Sequence, residues 1–227
     1  MSAIKVLIVD DETDILDLLE YNLQQNNFEI YRATNGVEAL EIAKKTIPKI
    51  IILDVMMPKM DGIETCRRLR EMPEFRQTHI LFLTARVEEY SELAGFDAGA
   101  DDYIQKPIKP RILISRINAI LRRDTEVDTE KPKIIKIKDL EINRETFLVT
   151  KDDGTQIILA KKEFELLYFL ASKPGKVFSR NVLLENVWGT DVLVVDRTVD
   201  VHIRKLREKI GEDYITTVKG VGYKFEA

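Results

Sequence analysis

Short apolar runs alternate with helical patterns through the first half of the chain. Ile4-Lys5-Val6-Leu7-Ile8-Val9 predicts a strand, and Ile15, Leu18, Leu19 and Leu23 mark one face of a following helix. Phe28-Glu29-Ile30-Tyr31 predicts a second strand, broken at Asn35-Gly36. Val37, Leu40 and Ala43 then start another helical stripe. Ile50-Ile51-Ile52-Leu53 and Ile80-Leu81-Phe82-Leu83 predict the third and fourth strands. A short fifth lies at Tyr103-Ile104, and a last helix runs from Pro110 to about Arg122. Continuous apolar strands separated by helices predict a parallel sheet covered on both faces, an α/β doubly wound, five-stranded domain.

The pattern breaks over residues 124–133, which are polar and without apolar period, as in a linker. Beyond it, Ile135 and Ile137 alternate with lysines, Leu140 and Ile142 follow, and Phe147-Leu148-Val149 comes next. Asp152-Asp153-Gly154 forms a hairpin-like turn before Ile157-Ile158-Leu159. Three helical segments follow this small antiparallel sheet. Phe164, Leu167 and Leu170 stripe the first. Ser179 is placed to cap the second, which holds Leu183, Leu184 and Val187. Asp196 is placed to cap the third, which runs to about Ile210, and Tyr214 to Phe225 reads as a hairpin around Gly220-Val221-Gly222. The expected organisation is therefore residues 1–123, a linker at 124–133, and an α+β domain at 134–227.

Composition narrows the class only a little. The net charge is -4, divided as 17 basic and 20 acidic residues in 1–123, 2 and 4 in 124–133, and 16 and 15 in 134–227. Nucleic-acid binding thus has to rest on a local basic surface. No apolar run approaches the roughly eighteen residues that cross a bilayer, and Asp10 and Asp11 argue against a signal peptide. The single cysteine, Cys66, excludes an intrachain disulfide and favours a cytoplasmic location.

In an open parallel sheet, ligands bind outside the carboxyl ends of the strands. Strand one ends in Asp10-Asp11, strand three in Asp54, strand four in Thr84 and strand five in Lys106. Each alone is an ordinary cap, turn or solvated charge; together they share one rim. Three clustered carboxylates call for a hard divalent cation such as Mg²⁺ (or Mn²⁺). A carboxylate can attack phosphorus to form an aspartyl phosphate, with the metal and a lysine balancing charge.

These residues carry a resemblance. The words Val9-Asp10-Asp11-Glu12, Leu53-Asp54-Val55-Met56-Met57-Pro58-Lys59-Met60-Asp61-Gly62, Thr84-Ala85, Gly99-Ala100-Asp101-Asp102-Tyr103 and Lys106-Pro107 resemble the receiver domain of two-component response regulators over about residues 3–123. The resemblance implies that Asp54 accepts phosphate from a sensor histidine kinase. It implies Mg²⁺ held by Asp11, Asp54 and the Met56 carbonyl with Asp10 assisting, Thr84 and Tyr103 as a switch pair, Lys106 as the phosphate-binding lysine, and a cis Lys106–Pro107 bond. It also implies homodimerisation on phosphorylation, through the surface around the fourth helix and fifth strand. Asp102 and Arg116 keep one expected charge pairing of that dimer face, whereas Glu92, Ile112 and Asn118 depart from the pattern.

On the third helix of the second half, Val199, Ile203, Leu206 and Ile210 form the buried face. Val201 lies roughly 200° from Val199 around the helix, on an outer side with Arg197, Arg204 and Lys205. Residues 197–210 carry five basic and two acidic side chains. An outward valine among basic residues suits a major groove. Lys162-Glu163-Phe164-Glu165-Leu166-Leu167, Pro174-Gly175-Lys176-Val177-Phe178-Ser179-Arg180, Val187-Trp188-Gly189, Arg197-Thr198-Val199-Asp200-Val201-His202-Ile203 and Val218-Lys219-Gly220-Val221-Gly222-Tyr223 resemble the winged helix-turn-helix effector of the OmpR/PhoB family. That resemblance makes the third helix the recognition helix on double-stranded DNA and the hairpin a wing. Lys219 sits at the wing tip, where arginine is commoner. Trp188, Arg197, Thr198, Arg204, Arg207, Thr217 and Tyr223 would meet phosphates, with Trp188 equally open to a core placement. Ala160 stands where a Ser or Thr usually caps the first helix.

The reading is a transcriptional regulator that acts with the transcription machinery. Two rivals have distinct signatures. An aspartate-nucleophile phosphatase wants a second acid two residues after the nucleophile, where Met56 stands. A constitutive DNA-binding protein with an unused receiver sits poorly with the intact acid set.

Overall fold

The computed structural model describes residues 3–84, 98–125, 132–189 and 197–226. The chain divides into two compact units, Met1–Thr125 and Glu126–Ala227.

In the first unit, strands β1 (Ile4–Val9), β2 (Phe28–Ala33), β3 (Ile50–Asp54), β4 (His79–Thr84) and β5 (Asp102–Gln105) form one sheet in the order β2-β1-β3-β4-β5. Every pairing is parallel. All residues of β3 and β4 are buried, as expected for strands covered on both faces. Helices α1 (Thr13–Gln24), α2 (Gly36–Thr46) and α3 (Gly62–Glu71) and a last helix at Pro110–Thr125 supply the cover. Leu16, Leu19 and Leu23 of α1 pack with Leu113, Ile117 and Ile120 of the last helix against Val6, Ile8, Ile50, Ile52, Leu81 and Leu83.

Hydrophobic spacing alone leaves α3 unassigned, because its stripe is thin. Only Cys66 and Leu69 supply large buried apolar groups. Its start is set by polar chemistry instead: the Asp61 carboxylate accepts the Glu64 N–H at 2.8 Å. The last helix continues past Arg122 to Thr125, taking up the first two residues of the expected linker. The segment expected to hold the fourth helix, with Glu92, lies outside the described residues.

In the second unit, β6 (Ile134–Ile137), β7 (Leu140–Asn143), β8 (Leu148–Lys151) and β9 (Gln156–Ile157) form an antiparallel sheet. The fourth strand is shorter than its apolar run. Ile158 is exposed, and a helix begins at Lys161. The helices Lys161–Ala171, Arg180–Val187 and Arg197–Ile210 follow. A three-stranded sheet then joins β10 (Phe178–Ser179), β11 (Ile215–Val218) and β12 (Gly222–Phe225) in the order β10-β12-β11. Two-residue β10 is invisible to a periodicity reading. A Cβ on Gly222 would lie 1.9 Å from the Phe178 carbonyl oxygen, so only glycine lets β12 close on β10. Ser179 caps its helix by accepting the Val182 N–H at 3.4 Å, while Asp196 falls outside the described residues. Phe164, Leu167, Leu183, Trp188, Val199, Ile203, Leu206 and Phe225 share one core. Among the described residues, no helix is long and apolar enough to cross a membrane.

Candidate phosphoacceptor site and nucleic-acid interface

Parallel register brings the carboxyl ends of the strands to one level. Val9 sits beside Leu53, Asp54 beside Leu83, and Thr84 beside Gln105. The residue following each end therefore opens onto the same rim. Strand order reverses direction at β1 and β3, where Asp10, Asp11 and Asp54 meet. Ligand oxygens of these three carboxylates lie within 4.8 Å of one another. Asp10 and Asp54 are buried and Asp11 is exposed.

Lys106 joins them. Its ammonium stands 2.8 Å from Asp10 Oδ2 and 2.9 Å from Asp54 Oδ1, with Glu12 more distant at 3.5 Å. Asp54 Oδ2 accepts the Met56 N–H at 2.9 Å, and Asp10 Oδ1 accepts the Glu12 N–H at 3.0 Å. Burial lifts the Asp54 carboxyl above the ordinary carboxylate range, and the neighbouring Asp10 adds to this. Lys106 and the Met56 N–H pull the other way without cancelling it. Burial disfavours the Lys106 cation, but Asp10 and Asp54 outweigh that and hold it firmly protonated.

The donor set fits a hard divalent cation. All three side chains offer carboxylate oxygens, and exposed Asp11 leaves the site open to solvent. Met56 is largely exposed. Gly62 explains how α3 approaches so closely: a Cβ there would lie 2.1 Å from the Asp54 carbonyl oxygen. Thr84 is buried beyond this group, and so is Tyr103, whose ring lies 5.4 Å from that of Phe82. The Lys106–Pro107 peptide is cis.

Asp102 and Arg116, the charge pair expected of the dimer face, are both among the described residues. They pair with each other inside one receiver at 3.0 Å, both buried, and Arg116 also donates to the Tyr103 carbonyl at 2.9 Å. Ile112 and Asn118 are exposed on the last helix.

The second unit places the reading residues less uniformly. Lys219 is exposed at the tip between β11 and β12, and Thr217 is exposed on β11. Arg204 is exposed and ion-paired to Glu208 at 2.8 Å; Lys205 is half-buried. The Arg197 side chain lies outside the described residues. Two expectations are corrected, those for Val201 and Thr198, and of the two placements open to Trp188 the core one is found. Val201 does not face solvent but is 7% exposed, and Trp188 is 1% exposed within the core. A single apolar stripe underestimates the packed arc. Thr198 and His202 also turn inward, and the Trp188 indole meets the His202 ring edge-on at 4.9 Å. Buried positions from Ile203 round to Val201 then span about 200° of the helix at ~100° per residue. Thr198 is likewise buried rather than presented to a phosphate. Arg207 and Tyr223 are occupied inside the domain, Arg207 on the Ile215 carbonyl and Tyr223 on Asp200.

Sequence reasoning missed Arg180 and Asp200 as members of this surface. They pair at 2.7 Å, and no hydrophobic period marks them. Their signal is the spacing of opposite charges between two helix starts, which only the fold joins.

Two family models match the chain: the response regulator receiver domain over residues 6–118, and the C-terminal domain of transcriptional regulatory proteins over 154–225. The transcriptional regulatory protein SrrA of Staphylococcus aureus is 44% identical over 233 aligned residues, covering 98% of this chain and 95% of the relative. Among solved structures, the response regulator DrrB of Thermotoga maritima, described as an OmpR/PhoB homologue, is 36% identical. It covers 99% of this chain and 100% of its own at a TM-score of 0.52. A RitR mutant is 29% identical with the same coverages and a TM-score of 0.82.

Proposed function

The chain belongs to the OmpR/PhoB family of two-component response regulators, a receiver joined to a DNA-binding domain, and from that premise we propose that Asp54 is the phosphoacceptor controlling its DNA binding. The observation that carries this is the Lys106 ammonium between Asp10 and Asp54 at the strand ends. A buried carboxylate of raised basicity is a competent nucleophile toward phosphorus.

In the transfer, an Asp54 carboxylate oxygen forms a bond to the phosphorus of a phosphohistidine on the sensor kinase, and the P–N bond breaks. Lys106 stays protonated and takes up charge on the equatorial oxygens. Asp10, Asp11, Asp54 and the Met56 carbonyl would hold Mg²⁺ (or Mn²⁺), which when bound supplies further positive charge for the phosphoryl group. Thr84 and Tyr103 form the switch pair: the Thr84 hydroxyl bonds a phosphate oxygen. The change favours homodimers. The chain keeps the phosphate on its own Asp54 and turns over no external substrate.

On this reading residues 1–123 are the phosphoacceptor domain, 124–133 the joint and 134–227 the DNA-binding domain, working in the cytoplasm with the transcription machinery. Arg197, Arg204 and Lys205 meet the major groove or its phosphates, Thr217 meets phosphate, and Lys219 enters the minor groove. Selection of binding sites from random DNA, with and without beryllofluoride, tests the whole. The expected result is a repeated half-site whose binding tightens with beryllofluoride. Identical binding in both arms would sink phosphate control; no selected sequence would sink the DNA reading.

A further inference from the structure

A polar network joins the recognition helix to the wing. Thr217 on β11 and Tyr223 on β12 face each other across one rung of the hairpin. Both ends of that rung are held by the recognition helix. Asp200, in its first turn, accepts the Tyr223 hydroxyl at 2.6 Å. Arg207, two turns further on, donates to the Ile215 carbonyl through Nε at 3.0 Å and Nη2 at 2.8 Å, and to the Thr217 hydroxyl at 2.8 Å.

A third element closes the set. Arg180, at the start of the preceding helix, donates to Asp200 Oδ1 at 2.7 Å and to the Tyr223 hydroxyl at 3.2 Å. The guanidinium groups of Arg180 and Arg207 both lie over the Tyr223 ring, 5.1 and 5.9 Å from its centroid. Burial and Asp200 push the Tyr223 hydroxyl up to about 12, so it stays a donor throughout the physiological range. Charge-assisted bonds of this kind are short and geometrically demanding. The Arg207 guanidinium is planar, so it fixes the strand in orientation as well as distance.

We propose that Asp200 is a positioning residue that locks the wing to the recognition helix through Tyr223 and Arg180, and so sets where Lys219 stands relative to the helix. The consequence is a specificity device. With the lock closed, a base pattern under the helix and a minor-groove shape under Lys219 are recognised only at one fixed separation. This rests on the DNA reading above, whereas the lock itself is a property of the free protein.

Two measurements on the full-length chain test it. In free protein, amide exchange across Ile215–Phe225 accelerates about tenfold in Asp200→Asn, in proportion to the loss of a charged acceptor. Tyr223→Phe, which keeps the ring, does the same. Unchanged exchange in both overturns the lock. On the selected DNA site, Lys219→Ala weakens binding about tenfold in the native background, but less than about threefold beside Asp200→Asn, because the wing no longer holds Lys219 in place. Equal losses in both backgrounds overturn the positioning role. So does an altered base preference beneath the helix in Asp200→Asn, since Asp200 would then be reading bases itself. If the native chain selects no DNA sequence, the DNA reading falls and the positioning role with it, while the exchange result still decides the lock.

Discussion

The two halves of the molecule assemble polar sites in opposite ways. In the receiver, Asp10, Asp54, Thr84 and Lys106 come from four strands, and the sheet's parallel register delivers them to one rim. Asp10 and Asp54 are buried there, with Lys106 between them. In the second unit the polar groups come from one helix, its predecessor and a hairpin, and several are paired with one another before any DNA arrives. The first site is built for chemistry at a fixed point. The second is a surface whose members constrain each other's direction.

That comparison can be broken most decisively at Asp54. Asp54→Asn removes the acceptor oxygen, and incorporation of phosphate from a kinase or small phosphodonor, read by intact mass, is expected to vanish. Persistent stoichiometric labelling would move the site elsewhere. Next in size is Trp188→Ala. A fully buried indole predicts a loss of about 3–5 kcal/mol in denaturant unfolding of the second unit. A tryptophan serving only phosphate would leave stability nearly unchanged.

Smaller effects sharpen the contrast. Lys219→Ala should reduce the slope of log affinity against log salt by about 1, if the exposed tip cation meets nucleic acid as proposed. An unchanged slope would remove Lys219 from the contact set. Ala160→Ser should stabilise the second unit by about 1 kcal/mol, supplying the missing side-chain half of the cap. The smallest effect belongs again to Asp54. Its carboxyl is raised by burial, so the folded receiver binds that proton more tightly than the unfolded chain does. Its ionisation therefore costs stability as pH rises above the ordinary carboxylate range. Asp54→Asn should melt higher than the native receiver at neutral pH, with the gap shrinking toward acid pH; a gap that widens in acid reverses the sign.

The receiver was the more legible half because its site follows from topology. Apolar runs such as Ile50–Leu53 identify strands, parallel strands align their ends, and the residue after each end is then on the rim. What escaped was α3, whose start depends on the Asp61 cap rather than on a wide stripe. The second unit yielded less. A period of 3.6 assigns faces by angle, but burial of Val201 depends on how much of the helix is packed around it. Asp102 and Arg116 illustrate a further limit. Opposite charges in a sequence announce a pair, but not whether it closes within one molecule, as it does here, or between two.

Glu163 has a consequence for how this domain tolerates change. Its carboxylate accepts the Ala160 N–H at 2.8 Å and holds Lys209 at 2.6 Å, from a position 1% exposed. One buried acid thus finishes the first helix of the domain and braces the far end of the recognition helix. The turn therefore holds with alanine at position 160, because the neighbour three residues on already anchors it. An engineer transplanting this domain onto a different sensor module could add a serine cap at position 160, a buried site that takes only a small side chain. Glu163 and Lys209 would have to travel as an inseparable couple.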